Sequence, residues 1–218
     1  MAEINLMKSY PKSKRNPGER ANLITEEQKI TAGKFGKDFF DGERLYGYGG
    51  YNYHPRFWSQ VVKDFAKHYN LTPESSILDV GCAKGFMLFD LYNEIPGIKI
   101  KGIDISPYAI KNSKQEVSKF LEVGDAKDLS KFKDKEFDLV ISITTIHNLD
   151  LDNCKKALKE IQRVGKKAFI TLDAYRNEEE KKRMNMWNLT AKTYMHVNEW
   201  KKLFIDVGYE GDYYWFFP

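Results

Sequence analysis

The feature that most limits what this 218-residue chain can fold into is a regular alternation of short apolar runs and helical segments, beginning at Ser76. Each apolar run is short enough to be a buried strand. Because strands that alternate with helices pair in parallel through crossover connections, we predict an α/β protein with a Rossmann-like, doubly wound, mostly parallel sheet of six to seven strands. The clearest predicted strands are Ile77–Val80, Ile98–Ile103, Phe120–Val123, Phe137–Ile143 and Ala168–Leu172.

Three regions can be distinguished along the chain. Residues 1–20 are polar and contain prolines, so we expect a flexible basic arm. Residues 21–70 are predicted to form an N-terminal cap or lid of short helices and a Tyr/Gly-rich loop, because eleven aromatic residues fall between Phe35 and Tyr69. Residues 71–218 are predicted to form the ligand-binding domain.

The net charge of +4 is concentrated in the arm. Residues 8–20 contain five of the 35 Lys and Arg residues and a single acid, so the rest of the chain is nearly neutral. This distribution does not support a nucleic-acid partner. Solvated disorder is the preferred interpretation of the arm, although Lys12, Lys14, Arg15 or Arg20 could fold over a site and meet a phosphate or carboxylate.

Two further observations concern the environment of the protein. No apolar run approaches the ~20 residues of a membrane span, and the N-terminus lacks the apolar region of a signal peptide. Cys82 and Cys154 are too few for a disulfide framework or a zinc site of cysteine ligands. We therefore expect a cytoplasmic protein without membrane association, either monomeric or homodimeric.

Small and acidic residues follow the first three predicted strands. The first strand leads into Asp79-Val-Gly-Cys-Ala-Lys-Gly85-Phe86, where small residues let a ligand approach the backbone and a helix N-terminus offers free N–H groups. Asp104 ends the second strand, 19 positions after Gly85, and suits a bidentate grip on a ribose diol. Asp125 follows the third strand, where its carboxylate can accept a hydrogen bond from an adenine amino group.

Together, and in this order, the three motifs resemble the class I S-adenosylmethionine (SAM)-dependent methyltransferases, in their small-molecule, methyltransferase-domain (type 11-like) branch. The resemblance spans roughly Ser76 to Gly208 and departs from the family pattern at Ala83, where glycine is common. A dinucleotide-dependent dehydrogenase is the competing interpretation, but it expects G-x-G-x-x-G, whereas the glycines here stand at positions 81 and 85. That alternative also gives Asp125 no role, so we prefer SAM.

The resemblance implies that SAM is the cofactor and S-adenosylhomocysteine the product. It further implies that the first motif frames the methionine end of SAM, that the acid after the second strand holds the ribose, and that the acid after the third binds the adenine. The expected cofactor-binding residues are Tyr46, Tyr51, Asp79, Gly81, Cys82, Ala83, Gly85, Phe86, Asp104, Ile105, Asp125, Ala126 and Ile143.

The fourth predicted strand runs into Thr144–Leu149, which in the resembling family lies under the transferable methyl group. His147 is the candidate catalytic residue, a general base, because an ordinary histidine pKa of ~6.5 suits deprotonation near neutral pH. A purely structural role is the alternative, since methyl transfer is an in-line displacement that positioning and desolvation can support without a base.

The acceptor is expected to meet the ends of the fourth and fifth strands and the Tyr/Gly-rich stretch 46–53, whose rings could close over the sulfonium by cation–π contact. No Asn/Asp-Pro-Pro-aromatic tetrapeptide follows the fourth strand, which argues against methylation of nucleic-acid bases. No carboxylate pattern for a catalytic metal is evident, so no metal is expected. The expected substrate-binding residues are Tyr53, Thr144, Asn148, Asp173, Tyr175 and Arg176.

The sequence thus predicts a SAM-dependent methyltransferase for a small polar acceptor, with oxygen favoured over nitrogen if His147 is the base. A SAM-using enzyme with a non-methylating reaction such as cyclisation, or a non-catalytic SAM-binding subunit, remains an alternative. The C-terminus departs from the resembling fold, which ends in an antiparallel hairpin, because there is room for only one terminal strand or two very short ones. Tyr209–Phe217 is a plausible strand, and we expect its aromatic part, Tyr213–Phe217, to be buried in the sheet rather than to lie at an edge that a second subunit would cover.

Overall fold

A computed structural model of the protein describes residues 1–12, 16–49 and 51–218. The described residues form a sheet of seven strands: β1 Ser76–Val80, β2 Lys99–Asp104, β3 Leu121–Val123, β4 Phe137–Ile143, β5 Gly165–Tyr175, β6 Met195–His196 and β7 Asp212–Phe216. Their spatial order is β3-β2-β1-β4-β5, with β6 and β7 both paired to β5, and every pairing is parallel. The predicted α/β, doubly wound sheet of six to seven strands is confirmed.

Helices connect the strands and cover both faces of the sheet. They are α1 Pro17–Leu23, α2 Glu26–Ala32, α3 Lys37–Asp41, α4 Pro55–Tyr69, α5 Phe86–Glu94, α6 Pro107–Lys111, α7 Leu151–Val164, α8 Glu178–Trp187 and α9 Val197–Val207. Leu158 of α7 and Trp200 of α9 belong to the hydrophobic layer on one face, and Phe65 of α4 and Leu91 of α5 to the layer on the other. Burial on both faces explains why the central strands are continuous apolar runs.

Within the three described ranges, no helix combines the length and apolar character that crossing a membrane requires.

The last strand, β7, runs parallel to β5, in a register from Phe169↔Asp212 to Asp173↔Phe216. The helix α9 carries the chain back along the sheet before β7 begins, and this crossover gives β7 the same direction as β5. Of the aromatic residues predicted to be buried here, Tyr213 and Trp215 are buried, whereas Tyr214, Phe216 and Phe217 are half-buried. The two-residue strand β6 pairs only with the end of β5, so the described C-terminal residues contain no antiparallel hairpin.

The N-terminal segment lies along β7 rather than apart from the body. The Ile4 amide donates to the carbonyl of Tyr213 at 2.9 Å, and the Tyr213 amide donates to the carbonyl of Ala2 at 3.0 Å. Leu6 is only 5% exposed and belongs to the hydrophobic layer of α4 and α5. Strand-edge pairing and a buried leucine therefore hold a segment for which the polar sequence predicted a flexible arm.

Arg20, which was also expected in a solvated arm, is 9% exposed within α1. Its guanidinium lies beside two aromatic rings that pack on each other, 5.2 Å from the centroid of Tyr48 and 5.0 Å from that of Trp187. These contacts attach α1 to the Tyr/Gly-rich loop and to the end of α8. The predicted arm cations Lys14 and Arg15 lie outside the described residues.

Candidate active site

A cavity of about 1250 Å³ opens at the carboxyl ends of the parallel strands and is also lined by the N-terminal cap. Open α/β sheets bind ligands at this edge. The volume exceeds the usual range for one drug-sized ligand, so there is room for a cofactor and a second molecule. The sequence-predicted residues that line the cavity are Tyr51, Asp79, Gly81, Cys82, Ala83, Phe86, Asp104, Ile105, Asp125, Ala126, Ile143, Thr144, His147, Asn148 and Asp173.

The other sequence-predicted site residues do not line this cavity; they are Tyr46, Tyr53, Gly85, Tyr175 and Arg176. Tyr53 instead donates a hydrogen bond from its hydroxyl to the buried carboxylate of Asp90, at 2.6 Å, which joins the cap to α5. Arg176 pairs with Glu180, one helical turn further along. Polar partners elsewhere thus occupy two side chains that were expected to meet the acceptor.

The loop between β1 and α5 turns through left-handed backbone conformations. Gly81 has φ of +87°, and a Cβ atom there would lie 2.1 Å from the Thr145 hydroxyl oxygen. Gly85 has φ of +75°, and its Cβ would lie 2.6 Å from a methyl carbon of Leu121. Both positions therefore require glycine, Gly81 at the cavity wall and Gly85 behind it.

Asp104 anchors this loop and presents a carboxylate to the cavity. Its Oδ2 accepts a hydrogen bond from the Ala83 amide at 2.8 Å, and its Oδ1 accepts one from the Ser106 amide at 2.9 Å. Ala83 has φ of +49°, a region that favours glycine, and the first of these bonds helps to hold it there. Burial raises the pKa of Asp104, and the two amide bonds oppose that effect. Each oxygen keeps acceptor capacity for a diol.

Asp79 is a second buried carboxylate, close enough to Asp104 for the two charges to interact. It is 5% exposed, and no residue of the described ranges donates a hydrogen bond to its carboxylate or pairs with it. Burial and the charge of Asp104 raise the pKa of Asp79 to about 7. A buried acid without a counter-charge favours a cationic ligand. SAM carries both an ammonium and a sulfonium, so the residues present fit this cofactor.

A third part of the cavity wall follows β3. Asp125 accepts a hydrogen bond from the Lys127 amide at 3.1 Å and pairs with the Lys127 ammonium at 3.2 Å. Ala126 and Ile105 line the cavity as well, and Ile105 is 52% exposed there. An adenine ring can pack its flat face against the exposed apolar side chain and donate a hydrogen bond from its amino group to the carboxylate.

The side chain of His147 is buried beside the end of β5. Its Nδ1 accepts a hydrogen bond from the Asp173 amide at 3.1 Å, and its ring is 4% exposed. Burial lowers the pKa of His147, although the nearby carboxylate of Asp173 opposes this. Because Nδ1 is an acceptor in this bond, the neutral ring carries its proton on Nε2. The ring is therefore arranged as a hydrogen-bond donor, which differs from the general base that the sequence suggested.

The sequence assigns Tyr48 to the Tyr/Gly-rich lid but does not predict the wall that Tyr48 forms with Trp187 and Thr190. The Tyr48 hydroxyl accepts hydrogen bonds from the amides of Leu189 and Thr190, at 2.7 and 3.2 Å. The Thr190 hydroxyl donates to the side chain of Asn148 at 2.8 Å, next to His147 in the chain. The partners are separated by more than 40 positions, and no local pattern marks them.

An ion pair between a buried lysine and an exposed aspartate joins the cap to the glycine loop. Lys84 of that loop is 6% exposed and pairs with Asp41 at the end of α3. The Lys84 ammonium also donates to the carbonyl of Tyr51 at 3.2 Å, and Asp41 accepts a hydrogen bond from Tyr108 at 2.7 Å. These bonds place Tyr51 on the wall of the cavity.

Comparison with known proteins identifies the family of the domain that holds this site. Residues 71–212 match the model of a methyltransferase domain, which is more than half of the chain. An uncharacterized methyltransferase of Schizosaccharomyces pombe is 28% identical over 99 residues, 44% of this chain and 37% of that protein. The malonyl-[acyl-carrier protein] O-methyltransferase of Priestia megaterium is 30% identical over 117 residues, 51% of this chain and 42% of that protein. The matched stretch is thus less than half of either relative.

Solved structures show the same fold. A chain from the complex between the Haloferax volcanii Trm112 methyltransferase activator and a methyltransferase is similar with a TM-score of 0.53, at 24% identity over 66% of each chain. The parallel sheet, the cavity at its carboxyl edge and the family match agree with one another. The chain belongs to the methyltransferase-domain family of the class I SAM-dependent methyltransferases.

Proposed function

We propose that the protein is a SAM-dependent methyltransferase that acts on a small polar acceptor. The observation that carries the proposal is the pair of buried carboxylates at adjacent strand ends, Asp79 and Asp104, of which Asp79 has no counter-charge among the described residues. A nucleoside that bears a cationic side chain satisfies both, since its ribose hydroxyls donate to Asp104 and its positive charge compensates Asp79. The family match supports the same cofactor.

When bound, SAM would supply an electrophilic methyl group: the acceptor would bond to the methyl carbon in line with the C–S bond, which breaks and releases S-adenosylhomocysteine as a neutral thioether. The residues of this chain bind the cofactor, orient the acceptor and exclude water. Asp104 and Asp125 hold the ribose and the adenine. Phe39, Phe40 and Tyr51 pack against one another, with ring centroids 4.8 to 5.2 Å apart, and line the cavity on its cap side. Exclusion of water by these rings strengthens the electrostatic interactions inside the cavity.

His147 is proposed to orient the acceptor by donating a hydrogen bond from Nε2. With the Asp173 amide on Nδ1, the neutral ring does not take a proton at Nε2, so the acceptor oxygen needs to be ionised already or to lose its proton elsewhere. Carboxylates and phosphates are ionised at neutral pH and require no base. We therefore favour transfer to oxygen over transfer to nitrogen. The relative from Priestia megaterium, an O-methyltransferase by name, supports this preference.

Calorimetry with SAM and S-adenosylhomocysteine tests the cofactor assignment. Asp104→Asn should weaken binding by roughly tenfold or more, because hydrogen bonds to a charged group are lost. Asp206→Asn is the matched control, since Asp206 is exposed on α9 and does not line the cavity. Equal affinities of the two variants would reject the ribose assignment.

Incubation of the protein with SAM and a pool of candidate acceptors tests the reaction. S-adenosylhomocysteine that forms together with a product heavier by one methylene supports the proposal. Consumption of SAM without any acceptor would instead indicate a non-methylating reaction. Cofactor binding without turnover across the acceptor pool would indicate a SAM-binding subunit.

A further inference from the structure

The acids and the cap cations on the cavity wall come from different parts of the fold. The acids, Asp79, Asp104, Asp125 and Asp173, all come from the carboxyl ends of the strands; this side also contributes Lys84, Lys127 and Lys192, of which Lys84 and Lys127 pair with Asp41 and Asp125. Every charged residue that the described part of the cap and N-terminal segment adds to the wall is a cation: Lys12, Lys34, Arg44 and Arg56. The acidic side fits a cationic cofactor, so the opposite side favours a ligand of negative charge.

Arg44 lies next to Arg20, a buried arginine of α1. The two guanidinium groups donate to the same oxygen, the carbonyl of Gly47, at 3.1 Å from Arg44 and 3.2 Å from Arg20. Arg20 also donates to the backbone carbonyl of Arg44, at 3.4 Å. Two positive charges are thus held within reach of one carbonyl oxygen, although like charges at this separation repel each other.

No described acid offsets this repulsion. Neither Arg20 nor Arg44 forms an ion pair with an Asp or Glu of the described residues, and Arg20 is 9% exposed with its Nε buried and unpartnered. Burial and the charge of Arg44 both lower the pKa of Arg20. Arginine remains protonated in proteins under such strain, so the pair retains two charges and gains stability from a bound anion.

The surroundings of the pair indicate what carries the anion. Tyr48 and Trp187 line the cavity and pack on each other, and the guanidinium of Arg20 lies beside both rings. The Tyr48 hydroxyl accepts a hydrogen bond from the Thr190 amide, and the Thr190 hydroxyl donates one to Asn148, which follows the proposed donor His147 in the chain. Arg44 and His147 line the same cavity, so the wall available to a ligand that contacts both includes these two rings.

We propose that Arg44, supported by Arg20, binds a carboxylate or phosphate of the acceptor that is distinct from the oxygen methylated beside His147, and that the part of the acceptor between these two groups is flat and apolar. The identity of this ligand as the methyl acceptor rests on the proposed function; the anion site itself does not. The planar guanidinium of Arg44 binds two oxygens of such a group at once, which gives the acceptor its orientation in the cavity.

Binding of four probes to the protein loaded with S-adenosylhomocysteine tests the site: inorganic phosphate, phenyl phosphate, benzoate and the neutral analogue benzamide. We expect phenyl phosphate and benzoate to bind more tightly than inorganic phosphate and at least roughly tenfold more tightly than benzamide. The tighter of the two aromatic anions identifies the preferred charged group. Benzamide that binds as well as benzoate would overturn the proposal.

Substitutions of Arg44 test whether this residue is responsible for the affinity for the aromatic anions. Arg44→Gln should weaken both aromatic anions by roughly tenfold, while Arg44→Lys retains part of the affinity. Lys159→Gln, an exposed position on α7, removes one charge elsewhere and should change nothing. Retained binding of S-adenosylhomocysteine shows that each variant is folded. Anion affinity that is equal in Arg44→Gln and in the unchanged protein would refute the site.

The same titrations separate this proposal from the proposed function. If S-adenosylhomocysteine fails to bind the unchanged protein, the cofactor assignment fails, and the probes are titrated into the ligand-free protein. Binding of the anions there, lost in Arg44→Gln, would keep the anion site. Absence of anion binding with cofactor binding intact would remove the anion site alone.

Discussion

Replacement of Asp79 by asparagine should stabilise the ligand-free protein at alkaline pH and have little effect in acid. Asp79 is 5% exposed, and burial with the charge of Asp104 raises its pKa to about 7 from an ordinary 3.8. The native state therefore binds this proton more tightly than the unfolded chain does. The stabilising contribution of the protonated carboxyl is complete below about pH 4 and is lost as the pH rises through about 7.

The size of the effect follows from the two pKa values. One pKa unit corresponds to about 1.36 kcal/mol, so ionisation of Asp79 in the native state at pH 8 lowers the free energy of unfolding by about 4 kcal/mol. Asparagine fills nearly the same volume and carries no charge. Asp79→Asn should therefore raise the free energy of unfolding by up to about 4 kcal/mol at pH 8, and by less than about 1 kcal/mol at pH 4.

Urea unfolding of both proteins at pH 4, 6 and 8, without ligand, measures this difference. Asp138→Asn is a control of opposite sign, because the Lys166 ammonium and bonds from Ser76 lower the pKa of Asp138 to about 2. That variant should lose stability at neutral pH. A stability gain from Asp79→Asn that is the same at pH 4 and pH 8, or a loss at pH 8, would refute the argument that Asp79 is a buried and uncompensated charge.

Three further predictions concern other parts of the molecule. His147→Gln, which can still donate a hydrogen bond, should retain more turnover than His147→Phe at similar affinity for S-adenosylhomocysteine; equal losses in kcat would reject the donor role. Ala83→Gly should raise the free energy of unfolding by up to about 1 kcal/mol in urea titrations, because glycine relieves the left-handed strain; a clear loss would contradict that strain. Leu6→Ala should lower the midpoint of thermal unfolding, with a loss of about 2–4 kcal/mol for a buried leucine, whereas a solvated arm predicts no change.

The sheet and the acidic edge of the cavity could be predicted from the sequence because their signals are local. A short apolar run followed by an acid or a glycine marks a strand end wherever it occurs, and in a parallel sheet such ends share one edge. Asp79, Asp104 and Asp125 all line the cavity for this reason.

The cap could be predicted only in outline, since its contacts join distant parts of the chain. Nothing near Tyr53 in the sequence indicates that its partner is Asp90, 37 positions later. The polar sequence around Arg20 predicts a solvated arm. Nothing near Arg20 in the sequence indicates that the ring of Trp187, on α8, lies beside its guanidinium. Arg44 follows an acid and has no distinguishing neighbours, so its place on the cavity wall depends entirely on the fold.

The pairing of the N-terminal segment with β7 has a consequence for the order in which the molecule assembles. Residues 2 to 4 bond to Tyr213, so these contacts span nearly the whole chain and carry a large loop-closure entropy. The same segment continues into Met7 and Tyr10, which line the cavity. During synthesis, β1 to β5 emerge long before β7 and can pair first. Residues 2 to 4 therefore take their final positions only after β7 has formed, and the part of the cavity wall that Met7 and Tyr10 provide is completed late in folding.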